Sequence, residues 1–138
     1  MKLLLEIITP TKVVLKEEVD EVTLPTVNGE ISILPNHIDL LTKIKEGEMS
    51  VKKGNKTDSF AITGGFLEIS NNTVSILADH AIKADDIEIA KVQEAQERAK
   101  QAMKNKESTK EFAVAEADLR KAILELKVAK KHRTHRSS

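Results

Sequence analysis

The 138-residue chain has no cysteine, no tryptophan and no tyrosine, and only three phenylalanines. Without cysteine there is no disulfide framework, no thiolate zinc site and no cysteine nucleophile. There is no surplus of charge either, since 22 Lys and Arg balance 22 Asp and Glu. That neutrality argues against a dedicated nucleic-acid binder, which needs a basic excess to displace counterions. No apolar run approaches the roughly 20 residues that cross a bilayer. The start, one Lys before a short apolar run broken by Glu6, lacks the form of a signal peptide. These absences point to a soluble intracellular protein. What is present, 40% apolar and 32% charged residues, suffices to bury a core.

Catalytic motifs are missing as well. His37, His80, His132 and His135 lie in separate contexts with no HExxH spacing. His132 and His135 stand three apart on a basic tail, which reads as a solvated tail before it reads as a metal site. There is no GxxxxGK[ST] loop, and Gly64-Gly65 lacks the third glycine and following helix of a dinucleotide fingerprint. Two glycines before Phe66 instead suit a strand bend or a close backbone approach. Ser32, Ser59 and Thr63 have no surroundings that mark a nucleophile. The expectation is no catalytic residue and no metal ligand.

Overall neutrality conceals a division. Residues 1–82 carry 8 basic and 12 acidic side chains, whereas residues 83–138 carry 14 basic and 10 acidic ones. All five Gly and all three Pro fall in the first stretch, and the second has neither over 56 residues. Gly and Pro punctuate strands and turns, and their absence permits long helix. Two structural parts are therefore expected, 1–83 and 84–138.

The first part reads as short strands at 8–12-residue spacing: Leu3–Ile8, Val13–Leu15, Val19–Leu24, Ile31–Ile33, Leu40–Ile44, Met49–Val51, Phe60–Ile62, Phe66–Ile69 and Val74–Leu77. Turns fall at Asn28-Gly29, Lys53-Gly54-Asn55-Lys56 and Asn71-Asn72. Apolar residues on both faces of several strands favour an antiparallel sandwich. The second part reads as an antiparallel two-helix hairpin. Asp85 with Glu88, and Ser108 with Glu111, have capping-box spacing. A stripe of Ile87, Ala90 or Lys91, Ala95, Ala99, Ala102 and Met103 ends at Lys104-Asn105-Lys106-Glu107. A second stripe, Phe112, Ala115, Leu119, Ala122, Leu126 and Ala129, follows at 3,4,3,4,3 spacing. The tail Lys130–Ser138 is expected to fray. Mostly alanine stripes bury little area, so the hairpin is expected to be marginal on its own. It is suited to a two-state switch, the alternative being a permanently docked hairpin or a spacer.

One loop stands apart. Pro35-Asn36-His37 must turn, yet Leu34, Ile38 and Leu41 crowd it with apolar side chains. Such a tip either folds inward or offers an apolar contact to a partner. His37 fits equally a turn role and a contact role.

These residues carry a resemblance. The block GEISILPNHIDLL (Gly29–Leu41), Thr63-Gly64-Gly65-Phe66-Leu67-Glu68, Val74–Ala78 and the helix start at Asp85-Asp86-Ile87 are similar, in order and spacing, to the epsilon subunits of F-type ATP synthases. The likeness spans roughly residues 2–130. It implies a ten-stranded N-terminal sandwich and a C-terminal helical hairpin in a non-catalytic rotor subunit. By the resemblance, the sandwich contacts the gamma subunit and the membrane c-subunit ring, with Glu30, Leu34, Pro35, His37 and Leu41 as the contact residues. The hairpin would reach towards the alpha and beta subunits and restrain ATP hydrolysis. Arg120, Lys121 and Lys127, followed by Lys130 and Lys131, would then meet acidic surface on beta. Membrane association is through the complex only, at the cytoplasmic face of a bacterial plasma membrane.

Some bacterial members of that family bind ATP through an I/L-D-x-x-R-A motif. Here the matching stretch is Ile87-Glu88-Ile89-Ala90-Lys91-Val92, with Arg98 as a further phosphate partner. Lys lacks the two-pronged geometry of Arg, and Val adds bulk near the adenine face. ATP binding is expected to be weak or absent, with no cofactor, and Glu88 and Lys91 to form a solvated helical pair. The reading from another class is a ligand- or peptide-binding sandwich with a helical oligomerisation hairpin. It calls for exposed aromatics on a sheet face, and this chain has no Trp or Tyr.

Overall fold

The computed structural model describes residues 1–105 and 108–137, with side chains as far as Arg133 in the last helix. Lys106, Glu107 and the His135 side chain, invoked above, lie outside the described residues. The chain divides into two compact units, Met1–Lys83 and Ala84–Ser138.

The first unit holds eight strands: β1 (Leu3–Ile8), β2 (Val13–Val19), β3 (Glu21–Thr26), β4 (Gly29–Ile33), β5 (Leu40–Ile44), β6 (Gly47–Lys53), β7 (Lys56–Ser70) and β8 (Thr73–Lys83). Pairing runs β2-β1-β8-β7-β5 in one layer and β4-β3-β6-β7-β8 in the other, and β5 also pairs with β3 at Thr26 and Ile44. β7 and β8 take part in both layers. Residues 65–69 of β7 pair with β5, whereas residues 56–62 pair with β6. The ten strands implied by the resemblance are thus eight continuous strands, two of them counted once per layer. Every pairing is antiparallel except that of β1 with β8.

The switch between layers falls at Gly64-Gly65. The φ of Gly65 is +145°, and a Cβ there would collide with the Leu77 carbonyl oxygen and stand 2.8 Å from the Ala78 Cα. Only glycine lets β7 come this close to β8 as it bends. The expected separate strands Phe60–Ile62 and Phe66–Ile69 are therefore halves of one strand. Between the layers lie Leu3, Leu5, Ile7, Leu24, Ile33, Met49, Ile62, Leu67, Ile69 and Ile76, each at most 2% exposed.

The expected strand Val19–Leu24 is broken at Asp20, with Val19 ending β2 and Glu21 opening β3. The cause is a distant partner. The Asp20 carboxylate accepts the Gly54 N–H at 2.6 Å, and its own N–H donates to the Lys52 carbonyl at 2.9 Å. Asp20 thereby holds the β6–β7 turn, a role that hydropathy alternation does not register.

The second unit contains a 3-10 turn (Ala84–Asp86), α1 (Ile89–Lys104) and α2 (Thr109–Ser137), and the two helices pack on each other. At α2 the expected cap forms, with the Glu111 N–H donating to Ser108 Oγ at 3.1 Å. At α1 it does not. Glu88 occupies the N-cap position with no side-chain cap bond, and Asp85 bonds His132 Nε2 at 2.6 Å instead. Arg133 donates to the Ile87 carbonyl at 2.9 Å, so the end of α2 is fastened to the start of the unit. The tail expected to fray is helical through Ser137, and these two contacts give the physical reason. Along α1 the stripe is shallower than expected: Ala99 is its one buried residue, while Ala90, Lys91 and Ala102 are exposed. No described helix is long and apolar enough to cross a membrane.

Candidate functional site

The β4–β5 loop and the start of β5 expose three large aliphatic side chains, with Val13, Val27, Phe66 and Leu77 exposed elsewhere in the sandwich. Leu34 is 56%, Ile38 80% and Leu41 68% exposed, so the tip turns its aliphatic side chains outward rather than inward. Pro35 and His37 are half-buried. His37 Nδ1 is 2.8 Å from the Ile38 carbonyl, a turn contact that fixes the ring without removing it from the surface. The loop is held by the Asn36 N–H, which donates to Asn72 Oδ1 at 2.8 Å.

Glu30 is not on this tip. It pairs with Pro25 near the start of β4, beside the β3–β4 turn. Four residues of extended chain, roughly 13 Å, separate it from Leu34. Its neighbour in that turn is Val27, 58% exposed, so Glu30 belongs to a second exposed spot at the opposite end of β4. Leu34, Pro35 and His37 lie on the loop and Leu41 in β5 just beyond it, whereas Glu30 lies at the other end of β4. Ile38, the most exposed of the group, was noticed in the sequence only as a flanking residue.

In the hairpin, α1 and α2 leave a cleft of about 780 Å3 floored by alanines such as Ala95, Ala99, Ala115 and Ala122. Lys91, Arg98 and Lys121 line it, but so do Glu111, Asp118 and Glu125. Of the nucleotide-motif residues, Lys91 and Arg98 reach the cleft, whereas Ile87 is buried elsewhere in the unit and Glu88 does not line it. Lys91 pairs with Glu88 at 3.0 Å, with side chains 77% and 65% exposed. An exposed pair of this kind contributes little. Glu125, 7% exposed, is the residue that sequence reasoning passed over. Its signal is its spacing: three residues after Ala122 and four before Ala129, it must share their face.

The basic residues of α2 also separate. Arg120 and Lys127, seven apart, share one exposed helix face, and Arg120 bonds Glu116 at 2.9 Å. Lys121 is turned about 100° from Arg120 and lines the cleft. Among the described residues no group of three His, Asp or Glu could hold a metal ion.

Residues 2–84 match the family model described as ATP synthase, Delta/Epsilon chain, beta-sandwich domain. Residues 85–130 match that described as ATP synthase, Delta/Epsilon chain, long alpha-helix domain. The ATP synthase epsilon chain of Herpetosiphon aurantiacus is 45% identical over 133 residues, 96% of this chain and 98% of the relative. That of Dehalococcoides mccartyi is 43% identical over 135 residues, covering 97% and 96%. Among solved structures, a chain of the Euglena gracilis mitochondrial ATP synthase, seen with OSCP, F1 and the c-ring, superposes with a TM-score of 0.72 at 25% identity, covering 95% of this chain and 82% of that one. A chain of the Tetrahymena thermophila mitochondrial ATP synthase central stalk and c-ring has a TM-score of 0.59 at 18% identity, covering 94% and 97%, which is a likeness of fold alone. Both halves of the chain, in order and at nearly full length, therefore belong to the ATP synthase delta/epsilon family, and the chain stands among its epsilon chains.

Proposed function

We propose that this protein is a rotor subunit of an F-type ATP synthase with no catalytic site of its own. It joins the catalytic head to the membrane c-subunit ring and restrains ATP hydrolysis through its hairpin. The observation that carries the reading is the full-length match of sandwich and hairpin together, 45% identical to a named epsilon chain. The exposed Leu34, Ile38 and Leu41 tip supports the ring contact, because a free chain gains nothing by leaving three aliphatics in water. Gamma is the second partner of the sandwich, and the exposed Arg120 and Lys127 face of α2 is directed at acidic surface of alpha and beta. The complex holds the subunit at the cytoplasmic face of a bacterial plasma membrane.

ATP as a regulatory ligand of the hairpin is weak or absent in this reading. The cleft mixes three acids with its cations, and Lys91 already has an acidic partner. The test is reconstitution of the synthase with the full chain and with residues 85–138 removed. Hydrolysis should rise several-fold on removal while the truncated sandwich still joins the complex. Equal hydrolysis rates would remove the inhibitory role and leave the coupling role. Micromolar ATP binding by calorimetry would overturn the expectation for the cleft.

A further inference from the structure

We infer that Asn72, which lies outside the β4–β5 loop, is the residue that positions its apolar tip. The inference rests on the ring-contact reading above for its functional half. The loop leaves β4 at Ile33 and enters β5 at Leu40, and its internal His37–Ile38 contact is local and does not tie it to the sandwich. A surface that docks without first being ordered loses affinity to the ordering. Something in the body of the sandwich must therefore hold the tip.

Asn72 does so from the β7–β8 turn, using both ends of its side-chain amide and its own carbonyl. Its Oδ1 accepts the Asn36 N–H at 2.8 Å, at the centre of the loop. Its Nδ2 donates to the Lys2 carbonyl at 2.8 Å, and its own carbonyl accepts the Leu4 N–H at 3.1 Å. Three segments distant in sequence, the N-terminus, the loop tip and the turn, meet on one side chain. The amide orientation follows from the partners, since an N–H needs the oxygen and a carbonyl needs the nitrogen. Asn36 is itself in the left-handed region at φ +64°, so the loop takes a conformation that asparagine tolerates and that the Asn72 bond selects.

Turn geometry alone does not require asparagine here. Asn72 has φ +59°, which glycine would adopt more readily, so a glycine keeps the turn and removes only the clip. Aspartate keeps an acceptor for the Asn36 N–H but cannot donate to Lys2. These two substitutions separate positioning from folding.

The experiment compares Asn72→Gly, Asn72→Asp and Ile38→Asp in the full chain, by amide hydrogen exchange on the free subunit and by ATP-driven proton uptake in the reconstituted synthase, normalised to hydrolysis. For Asn72→Gly, exchange of the Asn36 amide should accelerate about tenfold, as expected for one lost bond. The unfolding midpoint should hold, and proton uptake should fall several-fold. Asn72→Asp should restore protection at Asn36 and recover part of the uptake. Unchanged exchange at Asn36 in the glycine variant overturns the inference. So does faster exchange with full proton uptake, if Ile38→Asp in the same assay abolishes uptake. If Ile38→Asp leaves uptake intact, the ring-contact reading fails instead. The positioning role of Asn72 is then decided by the Asn36 amide alone.

Discussion

The two units are built on opposite principles. The sandwich buries large aliphatic side chains from all eight strands, and Ala78 and Ala81 are the only alanines in its contiguous core. The buried residues of the hairpin are mostly alanine: Ala84, Ala99, Ala115, Ala122 and Ala129, beside Ile87, Leu126, Val128 and Glu125. Each buried leucine or isoleucine contributes ~1.5–3 kcal/mol, and an alanine methyl much less. The sandwich is therefore a rigid body fixed by distant pairings. The hairpin gains less from apolar burial, and polar contacts such as Asp85–His132 and Arg133–Ile87 fasten its ends.

That contrast can be broken by substitution. The largest effect should come from Gly65→Ala, where a methyl meets the backbone of β8 at a φ that alanine disfavours. We expect a loss of more than about 3 kcal/mol in urea unfolding of the sandwich. Gly54→Ala is the control. Its φ is +62° with nothing within 4 Å, so it should cost only about 1 kcal/mol. Equal costs would mean that the bend is not what holds the two layers together. Next in size is Ser108→Ala, which removes the cap of α2 and should cost about 1 kcal/mol. The loss should be visible as reduced helix content, with sandwich unfolding unmoved. If the sandwich melts earlier too, the units are not energetically separate. The smallest effect is expected for Lys91→Ala, which breaks the exposed pair with Glu88 and should change stability by less than about 0.5 kcal/mol. A larger shift in helix melting would give that pair a structural role that its exposure denies.

Local features were legible in the sequence, and features set by a distant partner were not. Alternation and turn residues marked the strands, and the glycine pair marked the bend, because both are determined within a few residues. The Ser108 cap was readable for the same reason. The Asp85–Glu88 cap was not, because Asp85 is taken by His132, 47 residues on. Asp20 interrupted an apparently continuous strand on behalf of Gly54, 34 residues away. The outward-facing tip was suggested by apolar crowding around a proline turn. Its anchoring residue was invisible, since Asn72 in an Asn-Asn turn looks like turn chemistry and nothing more. The resemblance groups Glu30 with the tip, but the extended backbone of β4 separates it from Leu34 by four residues.

The course of β7 and β8 through both layers has a mechanical consequence. In a sandwich whose layers meet only through side chains, a lateral push on one layer is resisted by packing, which can slip. Here the same push is borne by peptide backbone that crosses from one layer to the other at Gly64-Gly65, and by the β7–β8 ladder that crosses with it. Layer sliding would have to stretch covalent chain and shear the β7–β8 ladder on both sides of its one interruption, at Gly64 and Asp79. The body that presents the β4–β5 tip thus resists sliding of one layer over the other. Compliance is left to the alanine-lined helices.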